Sequence, residues 1–405
     1  MNASLSYDLL KQAATNYGTP LYVYHAEKIA QQYQDLFNHF DSKTTRIFYA
    51  CKALTNIHIL DVVKRAGGNI DCSSINEAKL ALHVGFAPNQ VLYTSNSVSF
   101  EEICEAVSLG IYVNIDSLSN LEKFGAKFGN SYPVGVRVRP NIMAGGNLKI
   151  ATGHDKSKFG IPVSELAALK AIQTKYNIQI STLHIHTGSE IKDVKVFLQS
   201  ADVFEQLLAH FPTVTVLDFG GGFKVPYQPE EKGTDMALLG SEVNKVVAKL
   251  SDQFGRTFTA WFEPGKYIVS EAGYFIATVN VMKQSGDIQF AGLDTGLNHL
   301  IRPMFYDAYH YIDNLSHPEK PLQEYAVVGN ICETDTFAWD RPIPTIEEGD
   351  FLIFYNAGAY GYEMASNYNA RYKPAQVLVE NGVAKLISRR DHFEDLLHLQ
   401  VPLTK

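Results

Sequence analysis

Arg46-Ile47-Phe48-Tyr49-Ala50-Cys51-Lys52-Ala53-Leu54 opens as a short apolar, β-branched and aromatic run and reaches a lysine six residues later. The run has the character of a buried strand. An interior lysine is costly because its ammonium loses hydration. At the C-terminal mouth of a strand, a desolvated lysine becomes a nucleophilic amine suited to imine chemistry. Taken alone, the stretch fits more readily a Lys52 that snorkels off the strand end; the rest of the chain favours the chemical role.

Outward from this run the same pattern repeats. Strand-like segments stand at Arg46–Ala50, Asn69–Cys72, Val91–Thr94, Ile111–Ile115, Val134–Arg139, Thr182–His186, Val214–Phe219 and Thr257–Phe262. Helical patterns such as Asn76–His83, Phe100–Leu109, Val163–Tyr176 and Val194–Phe211 separate them. Alternation of this kind predicts a parallel sheet, and its length predicts a (β/α)8 TIM barrel over residues 26–272. Polar or glycine residues follow every strand: Lys52; Asp71 with Ser74 and Glu77; Asn96; Asp116; Arg139; His186 with Ser189; Gly220-Gly221-Gly222; and Glu263. Barrel active sites lie at those C-terminal ends. From about Phe275 the segments become short, aromatic or β-branched, and separated by turns such as Gly286-Asp287 and Asn381-Gly382. Residues 273–405, completed by 1–25 with its strand near Tyr22, are expected to form an antiparallel β domain.

Composition narrows the partners. Of 405 residues, 46% are hydrophobic and 19% charged, with a net charge of -8, an ordinary globular balance that disfavours nucleic acid and anionic membrane. Met1-Asn2-Ala3-Ser4-Leu5 lacks the basic start and apolar core of an export signal, and no apolar stretch reaches bilayer length. Cys51, Cys72, Cys104 and Cys332 have neither metal-ligand spacing nor disulfide density. A cytoplasmic protein with reduced thiols and no metal centre is expected.

Three clusters carry chemistry. Gly220-Gly221-Gly222 after the seventh strand lets backbone N–H groups approach an anion, although a triple glycine alone is as often only a tight turn. Glu263 after the eighth strand can serve as a base, a metal ligand or the partner of a cationic ring nitrogen. With a lysine and an anion loop in the same mouth, the last role is favoured. His184 and His186 alternate along the sixth strand, which places them on one side of it. A ring stacked on a flat cofactor suits His186, and a core position suits His184.

On these residues the sequence resembles the fold-type III pyridoxal-phosphate-dependent decarboxylases over nearly its whole length. The motifs are Tyr49-Ala50-Cys51-Lys52-Ala53, Ser157-Lys158-Phe159-Gly160-Ile161, His186-Thr187-Gly188-Ser189, Asp218-Phe219-Gly220-Gly221-Gly222-Phe223, Glu263-Pro264-Gly265, Arg302-Pro303-Met304-Phe305-Tyr306, Cys332-Glu333 and Gly358-Ala359-Tyr360-Gly361. The resemblance is nearest to members that convert meso-2,6-diaminopimelate to L-lysine and carbon dioxide, the last step of lysine biosynthesis. It implies pyridoxal 5'-phosphate held by Lys52, His186 stacked on its ring, and Ser189, Gly221, Gly222 and Tyr360 on its phosphate. Glu263 is then the partner of the pyridine nitrogen. Lys266, Arg302, Tyr306, Glu333 and Tyr360 are implied for an amino-acid substrate. Cys332, with Lys52 and His186, is implied as catalytic, Cys332 and Glu333 reaching the site of the other subunit of a homodimer.

The chain departs from the family pattern at Lys266, where arginine is common, at Ile75-Asn76, where glycines often precede Glu77, and at Thr334-Asp335-Thr336. Lysine keeps the charge but loses the bidentate fork. The rival substrates are carboxynorspermidine, ornithine or arginine. A different class of reading is an inactive homologue that binds a regulatory protein.

Overall fold

The computed structural model describes residues 5–140 and 157–402; Met1–Ser4, read above for an export signal, lie outside them. The chain divides into two compact units, Ala30–Pro226 with Lys232–Ile268, and Met1–Ile29 with Tyr227–Glu231 and Val269–Lys405. We refer to them as the barrel unit and the sheet unit.

In the barrel unit, eight parallel strands close on themselves. In chain order they are Thr45–Ala50, Asn69–Cys72, Val91–Thr94, Tyr112–Ile115, Val134–Arg139, Ile180–His184, Val216–Asp218 and Thr259–Phe262. The eighth pairs with the first through Trp261↔Arg46 and Phe262↔Ile47. The sixth strand ends at His184, so His186 lies in the loop beyond it and does not continue the alternation expected from the sequence. Helices such as Ile75–Val84, Phe100–Ser108, Leu166–Tyr176 and Val194–Leu208 connect the strands. Their starts are set by side-chain caps: Ser74 accepts from Glu77 N, Ser99 from Glu102 N and Asp193 from Lys195 N.

The barrel interior has two chemistries. Toward the strand N-termini, Phe48, Leu92 and Trp261 form an apolar plug that Tyr112 and Val216 extend. The Arg46 guanidinium lies over the rings of Phe48, Tyr112 and Trp261, at 5.2, 5.6 and 5.6 Å. It also donates to Asn69 Oδ1 and the Asn89 carbonyl, so its charge is satisfied without a carboxylate. Nearer the C-terminal ends the buried residues are polar: Asp71, Thr94, Asn114, Arg137, His184, Asp218 and Glu263. Charged groups are buried only where partners or ligands compensate them, so this layer marks the working end of the barrel.

The sheet unit is mixed. Its main path runs Thr336–Pro344, Leu322–Val328, Ile288–Leu293, Gly273–Ser285, Leu21–His25, Ala375–Glu380 and Val383–Ser388. Phe351–Phe354 pairs with both Gly273–Ser285 and Ile312–Asn314. Most pairs are antiparallel, but Leu21–His25 runs parallel to Ala375–Glu380, and Ile288–Leu293 parallel to Leu322–Val328. The N-terminal strand is therefore central, and Leu21, Val23, Tyr274, Ile276, Val377 and Val379 share one core with helix Tyr7–Tyr17. Strands such as Val383–Ser388 have no buried face, and pairing rather than hydrophobic pattern makes them strands. Among the described residues no helix is long and apolar enough to cross a membrane.

Gly135 shows how tightly the polar layer is built. Register places Thr94 beside Asn114 and Asn114 beside Gly135. A Cβ on Gly135 would lie 1.8 Å from Asn114 Oδ1. Asn114 Nδ2 donates to Thr94 Oγ1 at 3.0 Å, and Thr94 Oγ1 donates to Glu263 Oε1 at 3.2 Å. Gly135→Ala is expected to displace that relay and cost about 1–3 kcal/mol of stability. A urea midpoint equal to that of the unmodified protein would contradict this.

Candidate active site

Lys52 occupies a single 3-10 turn, Cys51–Ala53, directly after the first barrel strand, closed by Leu54 N donating to the Cys51 carbonyl at 2.9 Å. Its side chain is 43% exposed, so the amine opens to the mouth instead of entering the core. Nζ donates to Asp71 Oδ2 at 3.2 Å. Asp71 is buried at the end of the second strand. Burial, then repulsion from Glu263, pushes its pKa up to about 8 against the pull of Lys52.

Glu263, 7% exposed, is the electrostatic centre. Oε1 accepts from Thr94, and Oε2 lies 3.3 Å from His184 Nε2. Burial alone would raise its pKa, but the facing His184 and then the Lys52 ammonium outweigh that cost and hold the carboxyl well below the ordinary range. Asp218 behaves oppositely. Burial and the Glu263 charge hold its pKa well above the usual carboxylate value, while Gly220 N donates to its Oδ1 at 2.9 Å. His184, Asp218 and Glu263 each bring a ligand-type atom within 4.8 Å of the others. Burial lowers the His184 pKa and raises that of Asp218, so Glu263 is the member of the three that its surroundings hold charged. One cationic ring nitrogen would balance that charge.

The glycine loop has no room for side chains. A Cβ on Gly220 would stand 2.6 Å from His186 Nδ1, one on Gly221 2.2 Å from the Glu263 carbonyl oxygen, and one on Gly222 2.1 Å from that of Gly188. Gly220 and Gly222 also have positive φ, +65° and +101°. Gly221 N donates to His186 Nδ1 at 3.2 Å, which requires that nitrogen to be unprotonated. Burial and then Arg137 push the His186 pKa well below its ordinary value, consistent with a neutral ring. Ile191 N donates to the Gly222 carbonyl at 2.8 Å, tying the loop that carries Ser189 to the glycine loop. Beside Ser189, Glu190 pairs with Lys266, whose side chain is 13% exposed. Lys266 thus has a carboxylate partner of its own.

The remaining predicted residues lie in the sheet unit. Arg302 and Tyr306 begin and end a one-turn helix, with Arg302 buried and Tyr306 half-buried. Tyr360 is half-buried with φ +55° in the turn after Phe351–Phe354. Cys332 and Glu333 are exposed and adjacent to Tyr368 and Asn369. Tyr368 donates to Glu333, which keeps that carboxylate below its usual pKa, and Asn369 Nδ2 lies 3.3 Å from Cys332 Sγ. Asp335 accepts from Leu297 N at 2.8 Å and Ile331 N at 3.3 Å, so the acidic residue of this loop shapes its backbone.

Two groups read as chemistry serve as caps. Ser74 Oγ accepts from Glu77 N at 3.2 Å and Glu77 Oε2 from Ser73 N at 2.6 Å, which starts the helix at Ile75 without glycines. Conversely, the sequence reading missed Arg137, whose guanidinium lies 4.6 Å from the Phe159 ring centroid and is attracted to Glu263, Asp116, Asp71 and Asp218. Its signal was an alternating strand, Val134-Gly135-Val136-Arg137-Val138, with a charge on the glycine side. Thr94 and Asn114 gave no comparable signal.

A lysine at the barrel mouth, a glycine cradle without room for Cβ atoms, and a buried carboxylate held ionised fit pyridoxal 5'-phosphate: an amine for its aldehyde, a close backbone approach for its phosphate, a carboxylate for its ring nitrogen. The fold and these residue types together mark a pyridoxal-dependent enzyme. Residues 26–270 match the model of the pyridoxal-dependent decarboxylase pyridoxal-binding domain. The diaminopimelate decarboxylase of Methanothermobacter thermautotrophicus is 36% identical over 96% of this chain and 93% of its own. A diaminopimelate decarboxylase crystal structure superposes with a TM-score of 0.91 at 30% identity, covering 99% and 98% of the two chains. Another, from Helicobacter pylori in complex with L-lysine, gives 0.88 at 29% identity over 98% and 99%. The chain belongs to the diaminopimelate decarboxylases of the pyridoxal-dependent decarboxylase family.

The raised pKa of Asp71 fixes a pH dependence. Its folded value of about 8 exceeds the ordinary 3.8, so the neutral form is favoured by folding. That contribution is fully present below about pH 4 and is lost as pH rises to about 8. Cofactor-free protein should therefore lose stability over this window relative to Asp71→Asn, which cannot ionise. Parallel stability curves for the two proteins from pH 4 to 8 would refute the assignment.

Proposed function

We propose that this protein decarboxylates meso-2,6-diaminopimelate at its D-configured centre, giving L-lysine and carbon dioxide as the last step of lysine biosynthesis. The observation that carries the reaction type is Glu263, a buried ionised carboxylate at the end of the eighth strand. When bound, pyridoxal phosphate supplies an electron sink for the pair left as the Cα–carboxylate bond breaks, strongest with its ring nitrogen protonated.

The chain's own groups have separate duties. Lys52 offers the anchoring amine, and Asp71 aims it. Glu263 keeps the ring nitrogen cationic, and Thr94 and His184 hold the carboxylate in place. Ser189, Gly221, Gly222 and Tyr360 take the phosphate, and His186 takes the ring face. Arg302 and Tyr306 bind the distal carboxylate of the substrate. Lys266 can share that duty only if it also leaves or extends its pairing with Glu190. Residues 26–272 are proposed as the cofactor domain, and 1–25 with 273–405 as the domain supplying substrate and dimer contacts.

We also propose a cytoplasmic homodimer with shared sites. Cys332 and Glu333 are exposed in the single chain, as groups destined for a neighbouring subunit must be. Mixing inactive Lys52→Ala and Cys332→Ala proteins under subunit exchange should restore activity, because one site of each heterodimer then has both groups. No recovery after demonstrated exchange would mean that each chain builds its own site.

Carbon dioxide release from a panel of amino acids with added pyridoxal phosphate tests the substrate. meso-Diaminopimelate should exceed L-lysine, L-ornithine and L-arginine in kcat/KM by at least about 100-fold, because a substrate lacking the distal carboxylate leaves a buried cation unpaired. Comparable values for ornithine or arginine would retain the reaction class and remove this substrate.

A further inference from the structure

Arg302 presents an unusual charge problem. It is 4% exposed, yet among the described residues no carboxylate pairs with it. Its Nε donates to His310 Nε2 at 3.4 Å. Its guanidinium carbon lies 5.2 Å from the Tyr227 ring centroid. A desolvated guanidinium with one neutral acceptor and an aromatic face is incompletely compensated, and its planar fork matches a carboxylate.

His310 is built to face that cation. Its Nδ1 lies 2.8 Å from the Tyr355 carbonyl, which can only accept, so Nδ1 carries the hydrogen and Nε2 keeps its lone pair. The ring meets Tyr227 edge-on at 5.7 Å, and the Tyr227 hydroxyl is 3.1 Å from Ser270 Oγ. The His310 carbonyl accepts from Arg341 Nη1 at 2.6 Å, which fixes the backbone as well. Burial and then Arg302 push the His310 pKa down to about 3, so the ring stays neutral near pH 7.

We infer that His310 is a positioning residue: with Tyr227 it locks the Arg302 guanidinium through Nε and leaves the terminal nitrogens for the distal carboxylate of the substrate. This deepens the reading of Arg302 proposed above and rests on it. Decarboxylation at the D-centre leaves the distal carboxylate on L-lysine, whereas cadaverine has none. The two compounds thus report separately on the Arg302 subsite.

The experiment compares the holoenzyme with His310→Asn and His310→Gln. Asparagine can still donate toward Tyr355 but is too short to accept from Arg302; glutamine restores an acceptor at the reach of Nε2. His310→Asn should raise KM for meso-diaminopimelate and Ki for L-lysine by about 10-fold, the scale of a hydrogen bond to a charged group. Its kcat and its Ki for cadaverine should be nearly unchanged, and His310→Gln should recover most of the loss. Equal weakening of both inhibitors, or of neither, overturns the inference. If His310→Asn fails to retain the visible absorbance of bound cofactor, His310→Met, which fills the volume without the acceptor, is read by the same criteria. Arg302→Ala separates the two claims. If it weakens L-lysine selectively and the His310 variants do not, only the inference fails; if it shows no selectivity, the underlying reading of Arg302 fails.

Discussion

An ionised carboxylate inside a closed barrel is the constraint on which this structure turns. Glu263 cannot be solvated there, so other groups replace water: Thr94 donates to one oxygen, His184 faces the other, and the Lys52 ammonium lowers the energy of the charge. The arrangement propagates outward. Thr94 is itself held by Asn114, and Asn114 fits only because residue 135 is glycine. Asp71 and Asp218 are pushed toward their neutral forms, since three buried carboxylates could not all ionise near one another. The polar layer of the barrel is thus a single electrostatic object organised by one charge.

The sheet unit solves a complementary problem with the opposite sign. Arg302 is buried with a neutral histidine and a tyrosine face as its company. The barrel unit thus holds a stabilised negative charge at Glu263, and the sheet unit a positive one at Arg302 that no carboxylate among the described residues pairs with. A protonated ring nitrogen suits the first, and a carboxylate suits the second. The cost of keeping both desolvated is a form of preorganisation, because little rearrangement is needed when a ligand of opposite sign arrives.

Lys266 illustrates how a substitution relative to a family pattern acquires meaning from its neighbours. A lysine cannot form the bidentate fork of arginine. Here it pairs with Glu190, whose backbone has φ +62° next to Ser189. The pair links the loops after the sixth and eighth strands, so the lysine has a local structural role whatever else it contacts.

The sequence by itself determined the elements whose signals are local. Alternating apolar runs and helices implied the barrel, and the residues at the strand ends, Lys52, Gly220–Gly222 and Glu263, could be read because a strand end is legible from its pattern. The N-terminal strand near Tyr22 was legible as a strand, but its central place in the mixed sheet, parallel to Ala375–Glu380, depends on pairing across more than 350 residues. The edge strand Val383–Ser388 has no buried face to pattern, and only the Asn381-Gly382 turn before it marked it in the sequence. His184 with Asp218 and Glu263, Arg137 with the acidic layer, and His310 with Arg302 are also decisions of the tertiary structure. Each joins side chains from different elements, and their protonation follows from burial and mutual charge. Composition and spacing identify which groups are available; only the closed fold sets the distances and the loss of water that give them their chemistry.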